Sequence, residues 1–335
     1  RHIRYSDVRA LKPLVKTEHA AVFDVKVEKS ALLEPVPVAK RSSFGEKLAS
    51  GKWLKLIEMI PPRGFDLTDT VAKAVKAREA GFDAINLPDG PRASCRVSQI
   101  VAGIEIQEKA GIETVIHCCC RDRNLISLQS MILGCMAKNL RNILFITGDP
   151  PKLGKYPFSS GVFDVDSIGM VKLQSRLNCG VDIGGEALGN GVRTQIVIGV
   201  GADPNAIDPE REYRRLAEKV ESGADFIVTQ PVFDPETLKK FLKRIAHFQV
   251  PVIAGVWPFA SYRNAVFMKN EVPGVVVPDW IMNAMEKCPD KDSQRAEGIR
   301  IARSIIDEIR ADVRGVATSA PLGRVDTAIE VCRGF

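Results

Sequence analysis

Eight residues stand where short apolar runs give way to polar sequence, and they are the best placed in this chain to do chemistry: Glu58, Asp89, His117, Asp149, Asp203, Gln230, Trp257 and Ser319. Between them they offer carboxylates for proton transfer or cation stabilisation, an imidazole, and an amide that both donates and accepts. Glu58 is the most informative, because it interrupts the apolar run 54–60 just before Pro61 and Pro62. A carboxylate inside an apolar strand is costly unless it is paired or used, and desolvation would raise its pKa toward the range of a useful general acid. The structural alternative is an ion pair with Lys55 or Arg63. His117 closes the run 114–118 and Asp149 follows the run 142–147, with one amphipathic segment between them. That is a βαβ unit with a polar group at each exit.

Other strands are needed to bring these groups together. Strand-like runs occur at 54–60, 83–87, 114–118, 142–147, 195–200, 225–229, 251–256 and 315–318. Helical patterns occupy 68–80, 96–110, 124–138, 209–222 and 235–248, several of them stopped by Gly81, Gly111 or Gly223. Early strand starts recur about every thirty residues, the period of a βα unit, so the expected fold is a (β/α)8 TIM barrel with an N-terminal extension. An open doubly wound sheet is the weaker alternative, because no G-x-G-x-x-G follows the first strand. Barrel enzymes build their sites from the ends of several strands, which is where these eight residues fall.

Residues 1–41 do not share the pattern. A short helix over 3–14, a strand over 20–27 and the punctuation of Pro35 and Pro37 read as a linker or the remnant of an upstream domain, with the barrel occupying 42–335. Ser43 and Glu46 suggest a capping box for a helix ending near Gly51.

A chain of 335 residues, 45% hydrophobic, can bury one large core. Residues 1–41 hold nine Lys/Arg against five Asp/Glu, so that segment supplies +4 of the formal charge of +6 and leaves the body nearly neutral. With no basic helix or RNA-binding signature, nucleic acid is excluded as a partner. No apolar run reaches the ~20 residues of a membrane span and no signal peptide opens the chain, so the expected location is cytoplasmic. Arg1 in place of Met reads as the mark of a processed or truncated chain. The eight cysteines include no Cys-x-x-Cys pair, and Cys118, Cys119 and Cys120 on one strand would alternate between faces. Reduced thiols and no metal site are expected.

Five segments resemble, in order, the motifs of the methylenetetrahydrofolate reductase family: IEMIPPRG at 57–64, HCCCRDRN at 117–124, LFITGDPP at 144–151, DFIVTQPVFD at 225–234 and PVIAGVWP at 251–258. The likeness covers residues 43–335. VFDVDSIG at 162–169, VDIGG at 181–185 and SYRNAVFMKNEVPG at 261–274 are similar to the reductase half of bacterial bifunctional proteins that also carry a homocysteine S-methyltransferase domain. The resemblance implies a flavoenzyme in which FAD takes hydride from NADH or NADPH and passes it to 5,10-methylenetetrahydrofolate, giving 5-methyltetrahydrofolate. It also implies a homo-oligomer, and an upstream methyltransferase domain as a partner in the full-length protein. Glu58 matches the general acid, Asp149 the carboxylate beside flavin and pterin, and Gln230 the substrate amide. His117, Gly148, Asp149, Glu212 and Lys219 match flavin-contact positions.

The sequence also departs from the single-domain members. Thr147 replaces an Arg, Asp203 a flavin-contacting His, Asn264 a substrate-contacting Gln, and Glu212 an Asp; Arg121 and Arg123 are the nearby candidates to stand in for the lost Arg. Two other readings compete with the reductase. One is a flavin-free pterin-binding barrel for folate-dependent methyl transfer, and the other is a non-catalytic subunit of a methyl-transfer complex.

Overall fold

The computed structural model describes residues 30–272 and 275–335. Eight parallel strands close into a barrel in chain order. They are β1 Leu54–Glu58, β2 Ala84–Leu87, β3 Glu113–Cys119, β4 Asn142–Ile146, β5 Val197–Ala202, β6 Phe226–Pro231, β7 Val252–Gly255 and β8 Gly315–Ser319. Each falls on a run expected from sequence. Side chains alternate across a strand, and the two faces sort accordingly. Leu54, Leu56, Val115, Leu144, Val197, Phe226, Ile253 and Ala317 meet inside the barrel. Ile57, Ile85, Ile116, Ile143, Ile198, Ile227 and Val316 face the helical layer.

Among the described residues that layer comprises α1 Ser43–Ala49, α2 Thr68–Glu79, α3 Gln99–Ala110, α4 Leu125–Ala137, α5 Ser167–Asn178, α6 Pro209–Glu221, α7 Pro235–Ile245, α8 Tyr262–Glu271, α9 Asp279–Glu286, α10 Lys291–Ile309 and α11 Val325–Cys332. The helices α2, α3, α4, α6 and α7 match the expected ones. The helices α5 and α8 to α11 lie in stretches where no helix was expected. None of these helices is long and apolar enough to cross a membrane.

α1 plugs the end of the barrel at which the strands begin. Phe44 and Leu48 join the interior cluster, and Phe44 meets Phe226 edge-on at 5.2 Å. The expected capping box at Ser43 is corrected here. Ser42 holds the extended backbone of an N-cap and its Oγ accepts from Gly45 N, while the Glu113 carboxylate accepts from Ser43 N and Phe44 N at 3.0 and 2.8 Å. The barrel's own β3 therefore satisfies the donors that a capping box would have covered. Arg41 is buried, ion-paired with Asp225 at 2.8 Å, and donates to Ile196 O at 3.0 Å. Upstream, Leu33 N donates to Cys179 O at 2.8 Å, so residues 30–41 lie against the barrel. The helix and strand expected over 3–14 and 20–27 fall outside the described residues.

Candidate active site

The inner face of the barrel changes character near the strand C-termini. Leu54 and Leu56 are fully buried, yet Glu58, next on the same face, is only partly so; likewise Phe226 and Val228 are buried and Gln230 is exposed. Water therefore reaches the inner face at these strand ends, where a barrel fold places its chemistry. Glu58 lies in register with Asn86 of β2 on one side and Ser319 of β8 on the other.

Glu58 has no ion-pair partner among the described residues. Lys55 is an odd number of residues away along the strand and faces the helices, which removes it as a partner. Arg63 lines the same cavity without pairing. Burial alone pushes the Glu58 carboxyl up to about 7, so near neutral pH it holds a proton about half the time. It lines a cavity of about 850 Å³ walled mainly by apolar groups, among them Phe233, Trp257, Phe259, Phe267 and Met268. Trp257 and Ser319, two of the other strand-exit residues, share that wall, as does Asn264.

Two neighbouring strands hold buried polar atoms with no partner. Asn86 and His117 face inward by alternation, and neither Asn86 Oδ1 nor His117 Nε2 makes a hydrogen bond. Burial pushes the His117 imidazole down to about 4, so its ring is neutral at pH 7. Orphaned buried acceptors and donors are expensive, and a polar group bound at the barrel mouth would satisfy them. Asn86 was missed from sequence. The signal was its position two residues after Ala84, on the inward face of a strand whose other residues, Ala84, Ile85 and Leu87, are apolar.

The β4 exit is a tight turn. Gly148 has φ +90°, and a Cβ there would sit 2.9 Å from that of Cys119, so only glycine fits. Asp149 follows, exposed, with its backbone oxygen accepting from Arg121 Nη1 at 3.3 Å. Thr147 Oγ1 accepts from Ser167 N and thereby helps start α5. Arg121, itself buried, is committed to Asp122 at 2.7 Å, and Arg123 to Asp89 at 2.8 Å. These two arginines line a separate cleft of about 340 Å³ that also takes in Asp89. The grouping of Asp89, Cys119 and Asp122 resembles a metal-ligand set. Both carboxylates already carry an arginine, and burial first, then the charge of Asp89, raises the Cys119 thiol to about 12. Cys118 and Cys120 face the outer layer, opposite to Cys119.

On α6, Glu212 and Lys219 lie two turns apart. Glu212 accepts from Asp203 N at 2.9 Å and lines a cleft of about 260 Å³ with Asp203, Tyr213 and Arg244. Lys219 is buried and donates to Gly201 O at 2.8 Å, and burial lowers its pKa. The structure thus gathers Glu58, Trp257, Asn264 and Ser319 around one cavity. It sets His117 inside the barrel mouth and leaves Asp149 and Gln230 exposed at strand ends. Glu212 lines a different cleft on the α6 side.

A profile of the family described as methylenetetrahydrofolate reductase matches residues 43–318. The chain belongs to that family. It is 22% identical over 279 residues to the probable methylenetetrahydrofolate reductase (NADH) of Oryza sativa subsp. japonica, covering 79% of this chain and 45% of the rice protein. It is also 22% identical over 276 residues to the 5,10-methylenetetrahydrofolate reductase of Salmonella typhimurium, covering 80% of this chain and 86% of that one. The chain therefore spans less than half the length of the plant relative and most of the bacterial one. Among solved structures, an uncharacterized protein from Clostridium thermocellum that binds two copies of 5-methyl-5,6,7,8-tetrahydrofolic acid has the same fold. The TM-score is 0.61 at 14% identity, over 87% of this chain and 98% of that one.

Proposed function

We propose that this chain reduces 5,10-methylenetetrahydrofolate to 5-methyltetrahydrofolate, with reduced nicotinamide as donor and FAD as carrier. The observation that carries the reading is Glu58, an unpaired carboxyl raised to about 7 on the wall of an apolar cavity, in a strand-end segment that resembles a motif of the family. Reduction of the methylene bridge first requires the five-membered ring to open, and the departing nitrogen needs a proton. A carboxyl that is half protonated near neutral pH can supply that proton and later recover one from solvent.

Bound FAD would supply the hydride relay between the two substrates. The orphaned His117 and Asn86 suit the polar edge of such a ring, and the glycine-only turn at Gly148 would let it approach the backbone closely. His117, Gly148, Asp149, Glu212 and Lys219 are assigned to hold the cofactor, with Lys219 giving up its bond to Gly201 O if it is to reach a phosphate. Asp149 is assigned to stabilise cationic character developing in the folate, as a fixed negative charge placed beside it does. Gln230, an exposed amide at the end of β6, is assigned to the pterin edge. The donor is NADH or NADPH; the plant relative's name favours NADH.

The segments 162–169, 181–185 and 261–274 support kinship with bifunctional reductases. On that reading a homocysteine S-methyltransferase domain lies upstream, residues 1–41 are its linker, and the cytoplasmic protein is a homo-oligomer. The decisive experiment is a visible absorbance spectrum of the purified chain, repeated after anaerobic NADH and then after methylenetetrahydrofolate. Flavin bands that bleach with the nicotinamide and return with the folate are expected. A colourless chain that FAD cannot reconstitute would refute the proposal.

A further inference from the structure

The 850 Å³ cavity carries a polarity that the chemistry at Glu58 does not require. Its wall includes five cations, Arg63, Arg92, Arg96, Lys155 and Arg263, against the single carboxyl of Glu58. They come from four different connections, after β1, β2, β4 and β7. Among the described residues none of the five lies within ion-pair distance of a carboxylate. Seven arginines elsewhere, Arg41, Arg121, Arg123, Arg215, Arg244, Arg295 and Arg300, each meet an acid at 2.8 Å or less, and others among the described residues lie unpaired and scattered over the surface, whereas these five cations share one opening. Like charges gathered without counter-charge around one opening repel one another, and an anionic ligand would relieve that repulsion.

Arg92 holds a special place in this group. It and Ala93 both adopt left-handed backbone, at φ 55° and 45°, which non-glycine residues seldom do. The turn carries the Arg92 guanidinium 4.7 Å above the ring of Phe267 on α8. In the closed barrel β8 and β1 lie between β7 and β2, so this contact bridges the connections on either side of Glu58 and Ser319. None of the five cations contributes to the raised pKa of Glu58, which burial alone accounts for. The charged rim and the proton donor are therefore separate parts of one cavity, as suits an elongated ligand with an uncharged reacting end and a charged tail.

We propose that this cationic rim is a subsite for a multiply anionic ligand tail, with Arg92 as its roof and main specificity-determining side chain. The identity of the ligand rests on the reductase reading, under which two tails share the required chemistry: the carboxylates of a γ-glutamyl chain on folate and the pyrophosphate of the nicotinamide donor.

The test is calorimetric titration of the intact chain with tri-γ-glutamate and, separately, with inorganic pyrophosphate, at low and high salt. The proteins compared are wild type, Arg92→Ala, Arg92→Lys, Arg263→Ala and, as a control outside the cavity, Lys152→Ala. At least one fragment should bind, weaken with salt, and lose about tenfold in affinity in Arg92→Ala and Arg263→Ala, as expected for a charge-assisted contact. Arg92→Lys should keep part of the affinity and Lys152→Ala all of it. Binding of the glutamyl fragment alone identifies the folate tail, and binding of pyrophosphate alone identifies the donor. If neither fragment binds, or if both arginine variants bind as wild type does, the subsite is wrong. Fragment binding needs no turnover, so a chain that binds a fragment but reduces no folate would overturn the proposed function and leave the subsite standing.

Discussion

Replacing Glu58 with Gln separates the proton from the space it occupies. Burial raises the carboxyl from 4.5 to about 7. Below about pH 4.5 the group is protonated in folded and unfolded chains alike, and the variant should match the wild type in stability. Between 4.5 and 7 the unfolded chain releases its proton while the folded chain still binds one, so wild-type stability falls as pH rises. Above 7 that loss is complete. At roughly 1.4 kcal/mol per pH unit the interval amounts to about 3 kcal/mol, an upper figure because the side chain is partly exposed. Gln has no charge to desolvate and escapes the loss. The variant should therefore melt at the wild-type temperature near pH 4.5 and roughly 5 °C higher above pH 7. Scanning calorimetry across that range is the assay. The same variant should retain flavin reduction by the nicotinamide but lose about 10²- to 10⁴-fold in the folate half-reaction, the usual worth of a positioned acid. A melting gap that does not change with pH would refute the desolvation argument, and a normal folate half-reaction would refute the role as acid.

Three further outcomes follow from other parts of the molecule. Arg41→Ala strips the counter-charge from the largely covered Asp225, whose pKa burial already lifts to about 6 against the pull of Arg41, and should cost about 3 kcal/mol in urea denaturation at pH 8. Gly148→Ala forces a Cβ against Cys119 at positive φ and should both destabilise the chain by about 1 to 3 kcal/mol and lower the flavin content of purified protein, read as the ratio of visible to ultraviolet absorbance. Of the eight cysteines Cys95 alone is exposed, and burial pushes Cys119, Cys120, Cys135 and Cys332 up to about 12 and also raises Cys118 well above the ordinary thiol range. A thiol reagent at pH 8 should therefore modify Cys95 fast and these five only on unfolding.

The barrel was legible because each strand is a compact apolar run, and the period-2 alternation correctly separated Cys119 from Cys118 and Cys120. Helices α8 to α10 were not, because the β7–β8 connection is far longer than a βα repeat and three helices share it. Glu58 stood out as a charge in an apolar run. Asn86, equally inward, did not, because a neutral amide hardly disturbs a hydrophobic pattern. Arg92 was invisible for another reason: its position depends on a contact with Phe267, 175 residues away in sequence, which no local pattern encodes.

The plug α1 has a consequence for how the chain is made. Its anchors are Glu113, Asp225 and Phe226, and Arg41 is separated from Asp225 by 184 residues. At the ~5 to 20 residues per second of synthesis, Phe44 and Arg41 leave the ribosome roughly 10 to 40 s before β6 exists to receive them. Through that interval an unpaired arginine and a bare phenylalanine wait beside strands that have no closed interior to enter. Closure of the barrel and seating of the plug are then one late event that joins the two ends of the chain's history. A nascent chain stalled before β6 would present an apolar helix and open strand edges, which is the surface that a chaperone recognises.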